Sequence, residues 1–382
     1  MTGLLKPLQR LFSPSAPIPA GVYHYQSPPD DPRNYRLHLR LEETGGGLLI
    51  VNAATVLHLN QTAAEYAYYL INNTDADVVA QQMSARYSVD PLIARQDYVN
   101  FTERIRTLVE TPDLDPVTFL DFERRLPFSG RLSAPLRLDC ALTYRLPEDQ
   151  AADSAPIERV ERELATEEWK AILRKAWDAG IPHIIFTGGE PTLRDDLVEL
   201  IGFAEQLGQV TGLLSNGLKL SEPAYLNKLL QAGLDHLMLE LHPESEQSWQ
   251  AVSNAMVEDL SVVVHLTLTA DNQSQIKPIL DRLVSLEVKK VSLSASDPAL
   301  APALASARDW VADRDLELVW NIPVPYSSLH PVALETSDAQ IEGAGRAWLY
   351  VEPDGDVLRA QGDPVVLGNL LHEPWKKIWK GH

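Results

Sequence analysis

Ile184-Ile185-Phe186-Thr187-Gly188-Gly189-Glu190-Pro191-Thr192-Leu193-Arg194-Asp195-Asp196 is the stretch that decides the fold. An apolar run stops on two glycines, a carboxylate and a proline, which predicts a strand, a tight turn and then a helix. Paired glycines admit backbone angles that a Cβ forbids, and their missing side chains turn N–H groups toward whatever lies above the strand's carboxyl end. Pro191 fixes φ and starts the descent into the helix.

Outward from this turn, strand and helix signals alternate. Upstream, Leu136, Leu138, Cys140 and Leu142 alternate with Arg137, Asp139 and Thr143, a strand with Cys140 on its apolar face. Trp169, Ile172, Leu173, Ala176 and Trp177 fall at helical spacing, and Gly180 closes that helix. Downstream, strands are expected at 210–215, 236–240, 262–269, 290–294 and 316–321, with a helix between each pair. Alternating βα units of this length predict a parallel sheet with right-handed crossovers, and about seven strands predict an α/β partial barrel rather than a closed one.

Before the barrel, Tyr35, Leu37, Leu39 and Leu41 alternate with polar residues, and Glu43-Thr44-Gly45-Gly46-Gly47 turns the chain into Leu48 to Val51. A third strand, Thr55 to Leu59, leads through the N-cap Asn60 into a helix, and two more helices follow, the last opening at Asp90-Pro91. Three strands and three helices predict a small winged-helix-like unit. After the barrel, Glu352-Pro353-Asp354-Gly355-Asp356-Val357 reads as a hairpin, and Trp375 and Trp379 stand at i, i+4 in a final helix, as core contacts or a docking face.

The Gly-Gly-Glu-Pro turn after a strand resembles the S-adenosylmethionine-contacting turn of radical S-adenosylmethionine (radical SAM) enzymes. Leu57-His58-Leu59-Asn60 with its helix, and Ala85-Arg86-Tyr87-Ser88-Val89-Asp90, resemble the peptide chaperone of pyrroloquinoline-quinone biosynthesis (PqqD-like), a peptide-recognition domain. The last section, with Leu367-Gly368-Asn369-Leu370, resembles the SPASM extension that carries auxiliary iron–sulfur clusters. These resemblances imply an extension over 1–34, a peptide-recognition domain over 35–110, a linker over 111–134, a radical-SAM-like partial barrel over 135–325 and a degenerate SPASM-like extension over 326–382.

They also imply site residues. Gly188, Gly189 and Glu190 would receive the amino group of S-adenosylmethionine, with Ser215 and Asn216 lining the same pocket at the next strand tip; the competing reading is an ordinary strand-to-helix turn. Glu240 and His242, two residues apart at the end of the fourth strand, would join them as cofactor contacts, or with Glu190 form a divalent-metal or acid–base site. Val56, Leu57, His58 and Leu59 would border a leader peptide added as a further strand; the alternative is an edge covered by its own chain. His265, within an apolar strand, reads as a hydrogen-bonded core residue.

The cluster ligands of the family are absent. Three thiolates are expected after Thr143-Tyr144-Arg145, where the chain has Leu146, Gln150 and Asp153, and the extension has Glu342 and Ala360 in place of cysteines. Glu148, Asp149 and Asp153 read as a solvated charge run. Cys140 is the one cysteine of 382 residues, so neither a disulfide framework nor a cysteine-held cluster follows from the sequence. The resulting expectation is a pseudoenzyme without an iron–sulfur cluster that can still bind S-adenosylmethionine and takes as partner a leader or precursor peptide or a modification enzyme; the alternative is an enzyme that uses S-adenosylmethionine without a cluster, or a divalent metal, at the carboxyl ends of the strands. With 53 acidic against 33 basic residues, the net charge of −20 argues against nucleic acid or an anionic membrane surface. The first 21 residues hold no apolar core of signal-peptide length, so a cytoplasmic protein is expected.

Overall fold

The computed structural model describes residues 18–28, 30–111, 114–120, 126–130, 132–147, 154–320, 322–334 and 343–379. The chain forms two compact units, Met1–Ser129 and Gly130–His382. Among the described residues no helix is long and apolar enough to cross a membrane.

The first unit is an antiparallel meander of β1 (Gly21–Gln26), β2 (Arg36–Leu41), β3 (Gly47–Val51) and β4 (Thr55–Leu59), in that spatial order. It has one strand more than the three expected, because Gly21–Gln26, assigned from sequence to an extension, pairs along its whole length with β2. Leu37, Leu39, Leu49, Leu57 and Leu59 face a core shared with α1 (Gln61–Ile71), α2 (Ala76–Tyr87) and α3 (Pro91–Glu110). Each helix opens on a side-chain cap, Asn60, Asp75 and Asp90, that accepts a backbone N–H which would otherwise be orphaned. The stripe of α3 that enters the core is Ala94, Tyr98, Phe101 and Ile105.

The second unit has a ten-stranded sheet. Seven parallel strands run β5 (Arg137–Thr143), β6 (His183–Gly188), β7 (Val210–Ser215), β8 (His236–Glu240), β9 (Ser261–Leu268), β10 (Lys290–Ala295) and β11 (Glu317–Leu318), each beside the next. This is the expected α/β partial barrel. Beyond β5 the sheet continues through β12 (Trp348–Val351), parallel to β5, and the antiparallel β13 (Asp356–Leu358) and β14 (Gly368–Asn369). Of the terminal tryptophans, Trp379 is buried and Trp375 only partly so: their rings stack at 5.8 Å, and their Nε1 groups donate to the Leu132 and Ser133 carbonyls respectively.

Register fixes what fills the barrel. Because side chains alternate across a strand, Ile185, Leu214, Met238 and Val263 form one apolar layer. By register, Asp139, Ile185, Gly212 and His236 lie level with one another. There the His236 ring crosses β7 and meets His183 Nε2 to Nε2 at 2.6 Å, through space that a Cβ on Gly212 would fill. Toward the carboxyl ends lie Thr187 and, level with one another, Glu240, His265 and Ser292, so the end of the barrel where functional residues gather is polar.

Candidate functional site

The glycine turn behaves differently from the sequence expectation. Its N–H groups do not point outward: Gly189 N donates to the Thr143 carbonyl (2.8 Å) and Glu190 N to the Arg145 carbonyl (2.9 Å), tying the turn to the tail of β5. The glycines are needed for that close approach. At Gly188, with φ of 126°, a Cβ would fall on the Thr143 carbonyl oxygen, and at Gly189 on that of Arg145. The Gly188 carbonyl accepts from Tyr326 N at 2.9 Å, while the Gly189 carbonyl has no donor among the described residues.

Glu190, 2% exposed, is filled from within the fold. It accepts Thr192 N (2.9 Å), Thr192 Oγ1 (2.6 Å), Ser215 Oγ (2.9 Å) and Asn216 N (2.8 Å). Burial raises its pKa, and these four donors pull the other way. Its side chain therefore joins the tips of β6 and β7 instead of presenting an open carboxylate, and Ser215 and Asn216 are its partners.

Glu240 is 1% exposed and accepts Ser327 Oγ at 2.7 Å, while its other oxygen lies 3.7 Å from His242 Nε2. His242 Nδ1 is 3.6 Å from Glu244. Burial opposes charge on the imidazole, but Glu240, Glu244 and Glu190 outweigh it and raise the His242 pKa. Burial likewise acts to raise Glu240, and His242 and Ser327 outweigh it and lower its pKa. His242 Nε2 has no hydrogen-bond partner among the described residues, nor does His330 Nδ1. The proposed trio of Glu190, Glu240 and His242 does not make a metal site: Glu190 is saturated, and among the described residues no three His, Cys, Asp or Glu are arranged to hold an ion. What remains is an acid–base pair with one open nitrogen.

His265 is the hydrogen-bonded core residue expected. It meets Ser292 Oγ (3.1 Å), Thr267 Oγ1 (3.2 Å) and Ser294 Oγ (3.0 Å), and burial lowers its pKa to about 4.

A second polar knot lies beside the turn, and no sequence motif announced it. Tyr144 OH donates to Glu352 Oε1 (2.9 Å), Arg159 pairs with the same carboxylate (3.0 Å), and Arg159 also donates to Tyr326 OH (3.3 Å). Ala141, Tyr144, Ala155, Tyr326, Tyr350 and Leu358 enclose it in an apolar cluster that Leu146 joins. The cluster that the fold family implies therefore does not fit the residues present. Leu146, at the first thiolate position, packs on the turn, its Cδ2 3.1 Å from where a Gly189 Cβ would stand. The sole thiol, Cys140, is fully buried on the opposite face of the sheet from Ile185, and burial followed by the neighbouring Asp139 pushes its pKa up. Glu148, Asp149, Gln150, Asp153 and Glu342 lie outside the described residues.

On β4, Leu57 and Leu59 are core residues, so of the four proposed peptide contacts only Val56 and His58 project from the other face. His58 Nε2 lies 3.1 Å from the Leu126 carbonyl. One long edge of β4 has no strand beside it among the described residues.

Residues 140–247 match the Radical SAM superfamily. The barrel with this turn has the radical SAM fold. A PqqA peptide cyclase of Rhizobium meliloti (strain 1021) is 29% identical over 295 residues, covering 67% of this chain and 76% of that protein. Among solved structures, Streptococcus suis SuiB bound to its precursor peptide SuiA superposes with a TM-score of 0.59 at 16% identity, covering 93% of this chain and 88% of that one. SuiB bound to S-adenosylmethionine gives 0.56 at 15% identity over the same shares. These relatives overturn the expectation of a pseudoenzyme. A protein aligned over two thirds of the chain is named as a peptide cyclase.

Proposed function

We propose that the chain is an enzyme of peptide modification that binds S-adenosylmethionine at the carboxyl ends of β6 to β8 and works without a cysteine-held cluster. The observation that carries this reading is the turn itself, held rigidly by Thr143, Arg145 and the saturated Glu190, with the Gly189 carbonyl left as an acceptor for an ammonium group. Leu146 in the apolar cluster, and a single buried thiol, support the cluster-free form. The chemistry open to such a site is polar. S-adenosylmethionine would supply an electrophilic carbon on its sulfonium, and His242 would take up the proton that a nucleophile on the peptide gives up. Glu240 positions that imidazole.

The peptide would be held on the first unit as a strand added to the free edge of β4, the contact being backbone hydrogen bonds with Val56 and His58 alongside. A PqqD-like unit before the barrel, and a SPASM-like hairpin at β13 and β14, complete the proposed layout. Calorimetric titration of S-adenosylmethionine into the full chain is expected to give saturable 1:1 binding. Glu190→Gln, which turns an amide N–H toward existing donors, is expected to weaken it at least tenfold, about 1.4 kcal/mol, with circular dichroism confirming that the variant is folded. Absence of saturable heat at about 1 mM ligand, a level that detects even weak complexes, sinks the proposal.

A further inference from the structure

We propose that residues 322–334 are a gate over this site, bolted to Glu240 by Ser327 and latched by Arg159 and Glu352. The inference rests on the proposed function above and concerns the regulation of that same site. After β11 the chain crosses back over the carboxyl ends of the strands instead of leaving them. Tyr326 and Ser327 are 1% and 2% exposed, so this strap is inserted into the barrel mouth and does not lie on the surface.

Its contacts fall beside the atoms the proposed site uses, next to the Gly189 carbonyl and on the carboxylate that positions His242. Tyr326 N occupies the Gly188 carbonyl, and Ser327 Oγ occupies one oxygen of Glu240, a residue 87 positions earlier in the chain. The strap is also braced from within. Ser327 N donates to the His330 carbonyl, and the N–H groups of Leu329 and His330 converge on Ser327 Oγ at 3.2 and 3.0 Å. One hydroxyl thus organises the strap and grips the site.

Two buried imidazole nitrogens make no hydrogen bond among the described residues, Nδ1 of the strap's own His330 and Nε2 of His242, which stands 3.7 Å from Glu240. Buried polar atoms are rarely left unpaired, so these two nitrogens mark a place where a ligand or water can bond once the strap lifts. The outer anchorage is separate. Arg159 holds the Tyr326 hydroxyl and pairs with Glu352, which follows β12, so the latch joins the strap to the added strand. Gln361 Nε2 adds a contact to the Val324 carbonyl. All of these are polar contacts whose partners water can take over once the strap lifts, so opening exchanges them and does not simply lose them.

A closed gate taxes affinity by the fraction of molecules that are open, so loosening the latch tightens binding. Arg159→Gln and Ser327→Ala are each expected to bind S-adenosylmethionine several-fold more tightly than the unaltered chain. Hydrogen exchange read by mass spectrometry on the ligand-free full chain provides the independent arm. Strap amides 322–334 are expected to exchange well before those of β6 and β8, by local opening, and faster still in Arg159→Gln. Strap amides that exchange only with the barrel strands overturn the gate whether or not the cofactor binds. Early strap exchange with no binding in any form keeps the gate and refutes the proposed function; binding that neither variant strengthens refutes the gate alone.

Discussion

Gly188→Ala is expected to cost the barrel unit about 4 kcal/mol, combining backbone strain of about 1–3 kcal/mol with loss of a buried hydrogen bond worth about 1–3 kcal/mol. The added Cβ has nowhere to go: φ is 126°, and the first obstacle is the Thr143 carbonyl, a backbone atom that already accepts Gly189 N. Relief requires the tail of β5 to part from the turn, which also releases the Glu190 N–H from Arg145. For a unit of this size the melting temperature should fall by about 8–16 °C. Gly202→Ala, in the helix Leu197–Leu207, is the matched control, because its Cβ meets only ordinary contacts near 3.9 Å. That change should leave stability unaltered or raise it by up to about 1 kcal/mol. Thermal unfolding followed by circular dichroism separates the two, and a Gly188→Ala protein melting beside the control would show that the turn is not under the constraint described.

Acid is expected to unfold the barrel unit well before its carboxylates are neutralised. His236 and His265 are both held neutral, their pKa values lowered from 6.5 to about 4. For His236 the cause is burial and then Arg137; for His265 it is burial, against the attraction of Glu240. Each takes up its proton more readily unfolded than folded, so between pH 6.5 and 4 the unfolded state binds the extra protons. Stability is complete above that window and drains away through it. At about 1.4 kcal/mol per pKa unit, each residue contributes up to about 3 kcal/mol, and the two together approach the whole stability of an ordinary domain. His242 acts in the opposite sense, since its raised pKa favours the protonated fold, but one group does not reverse two. Urea midpoints measured at pH 7.5 and pH 5 should differ steeply, and His265→Asn should flatten the difference. A midpoint independent of pH would mean that these imidazoles are not kept neutral.

The parallel strands were readable because burial on both faces leaves continuous apolar runs such as Ile184 to Phe186, punctuated by Gly-Gly or Asn-Gly at the tips of β6 and β7. The hairpin at Asp354-Gly355-Asp356 was readable from turn chemistry alone. Gly21–Gln26 was not: it follows a proline-rich opening, its residues are only half-buried, and its strand status comes from pairing with β2. At the site, the sequence singles out Glu190, Ser215, Glu240 and His242 but not the partners that the fold brings to them. Glu190 looked like an open ligand because nothing local says that Ser215 and Asn216, some 25 residues on, will fill it. Ser327, Arg159, Tyr326 and Glu352 were invisible for the same reason, being joined by contacts across long separations and not by any periodicity. The crossing of His236 over β7 left one trace, a glycine in the middle of an apolar strand at position 212.

The place of β12 bears on how the molecule is made. β5 opens the barrel in sequence, yet one of its two edges stays bare until Trp348–Val351 arrives, some two hundred residues later. During synthesis at roughly 5–20 residues per second, that edge stands open for about ten seconds or more. The segment carrying the glycine turn therefore emerges early and is finished late, with Glu352 reaching Tyr144 only when the last strands have left the ribosome. A chain stalled or clipped before residue 348 keeps every βα unit and still presents an unpaired strand edge to its neighbours, the commonest invitation to aggregate.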